Sequence, residues 1–518
     1  MTPDIIISPI GCERLFAFAE RRTYVMLPDD SARPHSLIRS LPETLKQARR
    51  KKRRVNARPL TAAAAALVFP GMAGAAKDAE AAALKDDAGP AEPAHYPELL
   101  AQLQAAQGKF PPLYEENFVI PFTRTMQQLG AEKFAAILVR DKNRERSAGL
   151  MLDLAQAILQ RATGYAGTAT RAYQELVSDL YAGFLSAEDR KGIKPPDRGV
   201  IPPLVKWGYP ESGPYTWPVD GAASFQVKAG VVSLPPPNAT LGLVAWSTLG
   251  HETAGHDILH ADTGLQRELA RALQKNLLPL GAGLADYWSK RIDETSSDVM
   301  GLLNIGPAAG IGLIAYFRGL NAAFTNSPHL SPEGPKDDDH PADLLRGYLA
   351  AEVVALLKFK ERVAWSNAIA RETDKDRGTI VLDGWPVSYA VARRSAKILA
   401  RTLVQTKAKA LEGHALGEIQ NWRDVDEEKV GIVRSALRAG EPLPSTDGPG
   451  RIYAAHIVAG AVIEACVTST GIPLLQSRMI GLLSTAHEEN PSWSPLYVLH
   501  SGEVERDYFL KPALRKRR

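Results

Sequence analysis

Cysteine is almost absent from this 518-residue sequence, which holds only Cys12 and Cys466. A disulfide-stapled scaffold is thereby excluded. Cys466 lies in the apolar helical pattern HIVAGAVIEACV, where a buried, inert thiol is expected rather than a nucleophile. Long apolar runs are missing too. The run from Leu60 to Phe69 falls well short of the roughly 20 residues that cross a bilayer, so no stable membrane span is expected. There is no G-x-S-x-G elbow, no Walker loop and no G-x-G-x-x-G after a strand. No internal repeat recurs at solenoid periods. The formal charge of +4 is concentrated at the start of the chain. Residues 1–75 hold 13 Lys and Arg against 6 Asp and Glu, which leaves the remainder mildly acidic at −3. A nucleic-acid partner is therefore not expected.

What is present begins with the basic segment Arg49–Arg58, RRKKRRVNAR. The short apolar run follows, and then Gly71-Met72-Ala73-Gly74-Ala75-Ala76. Basic segment, apolar core and small residues ending in Ala-x-Ala are the parts of a secretory signal peptide. Residues 1–75 thus read as a signal peptide with an N-terminal extension, cut near Ala75. The mature protein is then exported, periplasmic or secreted, with Cys466 as its one thiol. Residues 76–93, rich in Ala, Asp, Glu and Pro, read as a flexible linker.

Helical periodicity dominates the rest, as in GLMLDLAQAILQ and RAYQELVSDLYAGFL. The fold class expected is mainly α with a small β element. Residues 94–200 form a helical lobe without visible chemistry, 201–350 a catalytic region, and 351–518 a C-terminal helical lobe. The β element is Phe225–Leu234, FQVKAGVVSL, whose β-branched content suits a strand and whose Gly230 suggests a bulge or a close backbone approach. Pro235-Pro236-Pro237 ends it, and a helix starts at Asn238 or Thr240. One long helix is expected from about Leu344 to Glu372.

The stretch Trp246–Asp262, WSTLGHETAGHDILHAD, packs His251, Glu252, His256, Asp257, His260 and Asp262 into one helical run. Such residues repel or must be desolvated, so a helix gains nothing from them unless they hold something. A wet polar face accounts for one histidine more readily than for three. At about 100° per residue, Glu252, His256 and His260 share a face of a regular helix, and His251 lies well around from it. Two metal readings compete. In one, His256 and His260 bind with HxxxH spacing. In the other, His251 and His256 bind with Glu252 as base, and a local helix distortion absorbs the inserted residue. A second helix carries Asp293-Glu294-Thr295-Ser296-Ser297-Asp298. Glu294 and Asp298 are four apart, share a face, and precede the apolar MGLLN, so they point inward. Two histidine nitrogens and a carboxylate, with a water in the fourth position, make a catalytic zinc site.

His251 to His256, HETAGH, fits the HExxGH motif of the dipeptidyl-peptidase III family, and Asp293–Asp298 resembles that family's E-E-x-x-A-E/D motif, with Asp for the first Glu and Ser297 for Ala. The resemblance covers about fifty residues. It implies a zincin-like catalytic region of the glutamate-zincin type between helical lobes, a zinc metallopeptidase holding one Zn2+ per chain, and a peptide or protein substrate. It implies His251, His256 and Glu294 as ligands, Glu252 as general base, and Asp298 orienting a ligand histidine. Asp257 and His260 become residues around the ligands or facing substrate. His340 and Arg346, in DDDHPADLLR, become candidates for stabilising the oxyanion, and the strand before the ligand helix becomes the place where an extended substrate pairs. Two other classes stay open. One is a metal phosphohydrolase built on the pair His256-Asp257. The other is an exported metal-binding protein without catalysis.

Overall fold

The computed structural model describes residues 67–493, apart from 186–189, 191, 195, 199–200, 210–212, 445–450, 469–470 and 491–492. Most of the apolar run and all of the basic segment lie outside the described residues. The described residues are mainly helical with two small three-stranded sheets, as the periodicity predicts. No helix among the described residues is long and apolar enough to cross a membrane.

Two apolar cores meet across the first sheet. Strand β1 (Leu204–Trp207) pairs in parallel with β3 (Val231–Leu234), and β2 (Tyr215–Trp217) pairs with β3 antiparallel, giving the order β1-β3-β2. Side chains of a strand alternate between its faces. Leu204, Tyr215, Trp217 and Val231 accordingly face a smaller core built from the helices Tyr96–Ala106, Ile120–Arg140 and Ser147–Thr163. Val205, Trp207, Val232 and Leu234 face the larger core, which takes in helices from Met72–Leu84 to Ile472–Glu488. Because both faces are covered, β3 reads VVSL, an almost unbroken apolar run.

The expected boundaries change in four places. Residues 76–84 are not a tether: Met72–Leu84 is a helix that buries Met72, Ala75, Ala76, Ala79 and Ala82. It packs against the helix Pro307–Thr325, where a Cβ on Gly319 would lie 2.5 Å from the Ala76 carbonyl oxygen. A cut near Ala75 would remove that helix's first turn. The large core runs through the border drawn at residue 350, which falls inside the helix Asp343–Val354, and it also claims Gly167–Leu185 from the N-terminal lobe. The expected strand shrinks to Val231–Leu234, since Ala223–Phe225 is a 3-10 turn. The long helix splits into Asp343–Val354 and Arg362–Thr373, where the Lys358 N–H turns instead to the Trp422 carbonyl.

Candidate metal centre

No regular α-helix carries the histidine cluster. After β3 come 3-10 turns at Pro236–Ala239 and Leu243–Thr248, a π-helix at Gly250–Asp257, and a further 3-10 turn at Ile258–His260. Asp78, from the helix Met72–Leu84, accepts the Leu243 N–H at 2.8 Å and so caps the start of this segment. In an α-helix, positions five apart differ by about 140°. In a π-helix each N–H bonds five residues back, so positions 251 and 256 stack. Their rings lie 4.7 Å apart, nearly perpendicular. The distortion that one of the two metal readings requires is present.

Two glycines let a second helix, Ile292–Ile305, lie directly against this one. A Cβ on Gly255 would stand 2.2 Å from Ser297 Cβ and 2.4 Å from its Cα. One on Gly250 would stand 2.8 Å from Ile305 Cδ1 and 3.1 Å from Gly301 Cα. The close backbone approach at these points brings Glu294 and Asp298 against the histidines. The glycine preceding His256 is therefore a packing requirement.

The donors converge. His251 Nε2 and His256 Nε2 are 3.0 Å apart, Glu294 Oε1 is 3.0 Å from His256 Nε2, and Glu294 Oε2 is 3.2 Å from His251 Nε2. Ligand atoms about 2.0–2.1 Å from a tetrahedral zinc are about 3.3 Å from one another. The two nitrogens are about one such edge apart, and each approaches a different oxygen of the Glu294 carboxylate at a similar distance. His251, Glu252 and His256 also form a buried group whose donor atoms all lie within 4.8 Å of one another, and which could hold a metal ion. The outer nitrogen of each ring is fixed by a carboxylate: Asp298 Oδ1 is 2.8 Å from His251 Nδ1, and Asp293 Oδ2 is 3.1 Å from His256 Nδ1. With the proton on Nδ1, both Nε2 lone pairs point at Glu294, which is the usual arrangement behind metal-ligating imidazoles.

Charge favours a cation as well. Glu294 and Asp298 share the Arg346 guanidinium, and Asp293 and Glu252 add two more carboxylates beside the histidines. Burial alone would lower the pKa of His251, yet the Glu294 charge and the Asp298 hydrogen bond raise it to about 9. His256 is raised well above its ordinary value against the same burial, by Asp293 and Glu294. Asp298 falls below the usual carboxylate range despite its burial, because of Arg346 and His251. Protons on the imidazoles and a divalent ion meet the same negative charge. In geometry, burial and donor chemistry the residues fit a small divalent ion.

The other expected residues are sorted by their contacts. His260 stands beside the cluster: its Nδ1 meets Asp220 Oδ2 at 3.3 Å and its Nε2 lies 3.6 Å from Asp293 Oδ1, with Gln266 contacting both His260 and Asp293. Asp257 turns away, accepting the Val219 N–H at 2.8 Å. Gly230 makes room for it, since a Cβ there would be 2.8 Å from Asp257 Oδ1. This is the close approach expected at that glycine. His340 borders the cluster, with Nε2 3.4 Å from Glu294 Oε2 and Nδ1 2.9 Å from Asp338 Oδ1. Arg346 is drawn toward Asp298. Its Nε and Nη2 are committed to Asp298 at 2.8 and 2.7 Å, and its guanidinium lies over the Phe317 ring. The strand before the cluster also loses its expected role, because β3 is flanked on both sides and has no edge for a substrate to pair with. Three contributors are given no role by the sequence alone. Asp293 and Asp338 are visible beside motif residues, but nothing in the sequence marks Thr216.

Comparison of the chain with protein-family models, with curated proteins and with solved structures gives no match.

Proposed function

We propose that the protein is a zinc-dependent hydrolase that cleaves peptide bonds, with His251, His256 and Glu294 as ligands to one zinc per chain and Glu252 as general base. The observation that carries this reading is the set of 3.0, 3.0 and 3.2 Å separations among the two Nε2 atoms and the Glu294 carboxylate, with a carboxylate behind each ring. A bound zinc ion supplies a Lewis acid and lowers the pKa of a coordinated water to about 7. Glu252 takes the proton of the attacking water on its carboxylate and passes it to the leaving amine. His340, held at Nδ1 by Asp338, presents Nε2 at the rim of the cluster, where a donor meets the developing oxyanion. Arg346 fixes Asp298 and through it the tautomer of His251. The phosphohydrolase alternative is weaker, because the carboxylate it needs from Asp257 is bonded to Val219.

The test is digestion of a defined peptide mixture, read by mass spectrometry. Cleavage stops on chelation, returns with zinc, and is absent from Glu252→Gln protein that still holds its metal. A fully active Glu252→Gln enzyme overturns the assignment. Zinc-loaded wild-type protein that leaves every peptide intact points to metal binding without turnover.

A further inference from the structure

Thr216 lies at the middle of β2, the outer strand of the first sheet. Its hydroxyl faces Glu252 Oε2 at 2.9 Å and the Glu252 main-chain oxygen at 3.1 Å, and both residues are buried, each about 4% exposed. A threonine has one hydroxyl proton, and here it is donated to the residue read above as the general base. The neighbours of Thr216 point to the opposite face of the strand. There Tyr215 Oη and Trp217 Nε1 both donate to Asp153 Oδ2, at 2.8 and 2.7 Å, while Lys206 Nζ pairs with Asp153 Oδ1 at 2.5 Å. Asp153 belongs to the helix Ser147–Thr163 of the smaller core. A three-residue strand is thus gripped at positions 215 and 217 from one side and grips Glu252 with position 216 on the other. A short strand alone holds nothing rigidly, and the buried Asp153 network, with every member satisfied, supplies the missing rigidity.

We infer that Thr216 is the positioning residue for the general base, holding one Glu252 oxygen so that the other faces the metal centre, with Asp153 as the anchor of that arm. The inference rests on the reading of Glu252 given above. A free carboxylate at this place would rotate about its terminal torsion, which is broad, and catalytic geometry is lost with displacements of about 1 Å.

Thr216→Val keeps the shape and removes the donor, and Thr216→Ser keeps the donor. In the zinc-loaded full chain, Thr216→Val lowers kcat about 10- to 100-fold with KM little changed, since a hydrogen bond to a charged catalytic group is lost. Zinc content stays at the wild-type level. Thr216→Ser recovers most of the loss. In a Glu252→Asp background, whose shorter carboxylate no longer reaches the hydroxyl, Thr216→Val costs nothing further. A crystal structure of Thr216→Val shows the Glu252 carboxylate rotated or in more than one conformer. Should Thr216→Val prove unstable on heating, Thr216→Ala is measured by the same four readouts. Full kcat in a zinc-replete Thr216→Val enzyme, or an equal loss in the Glu252→Asp background, overturns the inference while leaving the hydrolase reading intact. Wild-type protein with no Glu252-dependent cleavage overturns both.

Discussion

Gly255→Ala adds one methyl group, leaves every proposed ligand in place, and is predicted to cost the protein its metal. The new Cβ would stand 2.2 Å from Ser297 Cβ, 2.3 Å from its Oγ and 2.4 Å from its Cα. Carbon atoms pack at about 3.5–4.0 Å, so the two helices must part by roughly 1 Å or more. A rotamer change at Ser297 gives no relief, because its main chain is also in the way. Overpacking of this kind costs about 1–3 kcal/mol of stability. The larger effect falls on the centre, since Glu294 and Asp298 ride on the displaced helix. Parting the helices takes the 3.0 and 3.2 Å separations toward 4 Å, beyond what tetrahedral zinc spans. Zinc affinity should fall by at least the roughly 10- to 100-fold seen when a residue behind a ligand is lost. The assay is competition with a chromophoric chelator, alongside thermal unfolding of the metal-free protein. Ser297→Gly placed with Gly255→Ala should restore binding only in part, because the clash with the main chain at position 297 persists. A Gly255→Ala protein that binds zinc as tightly as wild type refutes the claim that close backbone approach between these helices builds the centre.

Three further outcomes follow from the same geometry. Asp293→Asn and Asp298→Asn, which loosen the outer nitrogens of His256 and His251, should each weaken zinc binding about 10- to 100-fold by the same competition assay. Glu175 is buried beside His487 and its carboxyl is raised to about 7 by burial, against the pull of Arg451 and Asn490. A raised carboxyl contributes stability that is fully present below its unfolded pKa and is lost as pH rises through 7. Glu175→Gln should therefore gain on wild type in unfolding free energy, read from urea titrations between pH 5 and 8, by an amount on the order of 3 kcal/mol at most. Cys466 is fully buried and its thiol is pushed up to about 12 by burial. Peptide mapping after alkylation should find it unlabelled in the native protein and labelled after denaturation, and rapid native labelling would contradict its placement in the core.

The helical fold and the residues of the centre were legible because both leave local marks. Periodicity identifies helices, and three histidines beside carboxylates are costly without a purpose. The proposed ligand pair His251 and His256 was harder to choose, since regular helix geometry favours His256 with His260. The choice turns on a π-helix sustained by tertiary packing at Gly250 and Gly255, and no local propensity encodes it. The engagement of Arg346 with Asp298 was hidden for a similar reason. A basic residue downstream of a metal motif looks catalytic until its partner is known, and Asp298 takes two of its nitrogens. Residues 76–84 read as part of a linker because their alanines carry little hydrophobic signal, yet small side chains are what a close helix crossing at Gly319 requires. Thr216 and Asp153 lie far apart in sequence, and only the pairing of β2 with β3 brings them to bear on Glu252.

Metal analysis of purified wild-type, His251→Ala and His260→Ala proteins tests the central claim most directly. The arrangement of Nε2 atoms around Glu294 predicts one zinc per chain in wild type and in His260→Ala, and none in His251→Ala. Zinc retained by His251→Ala and lost from His260→Ala would contradict it, and would return the centre to the HxxxH pair that a regular helix presents.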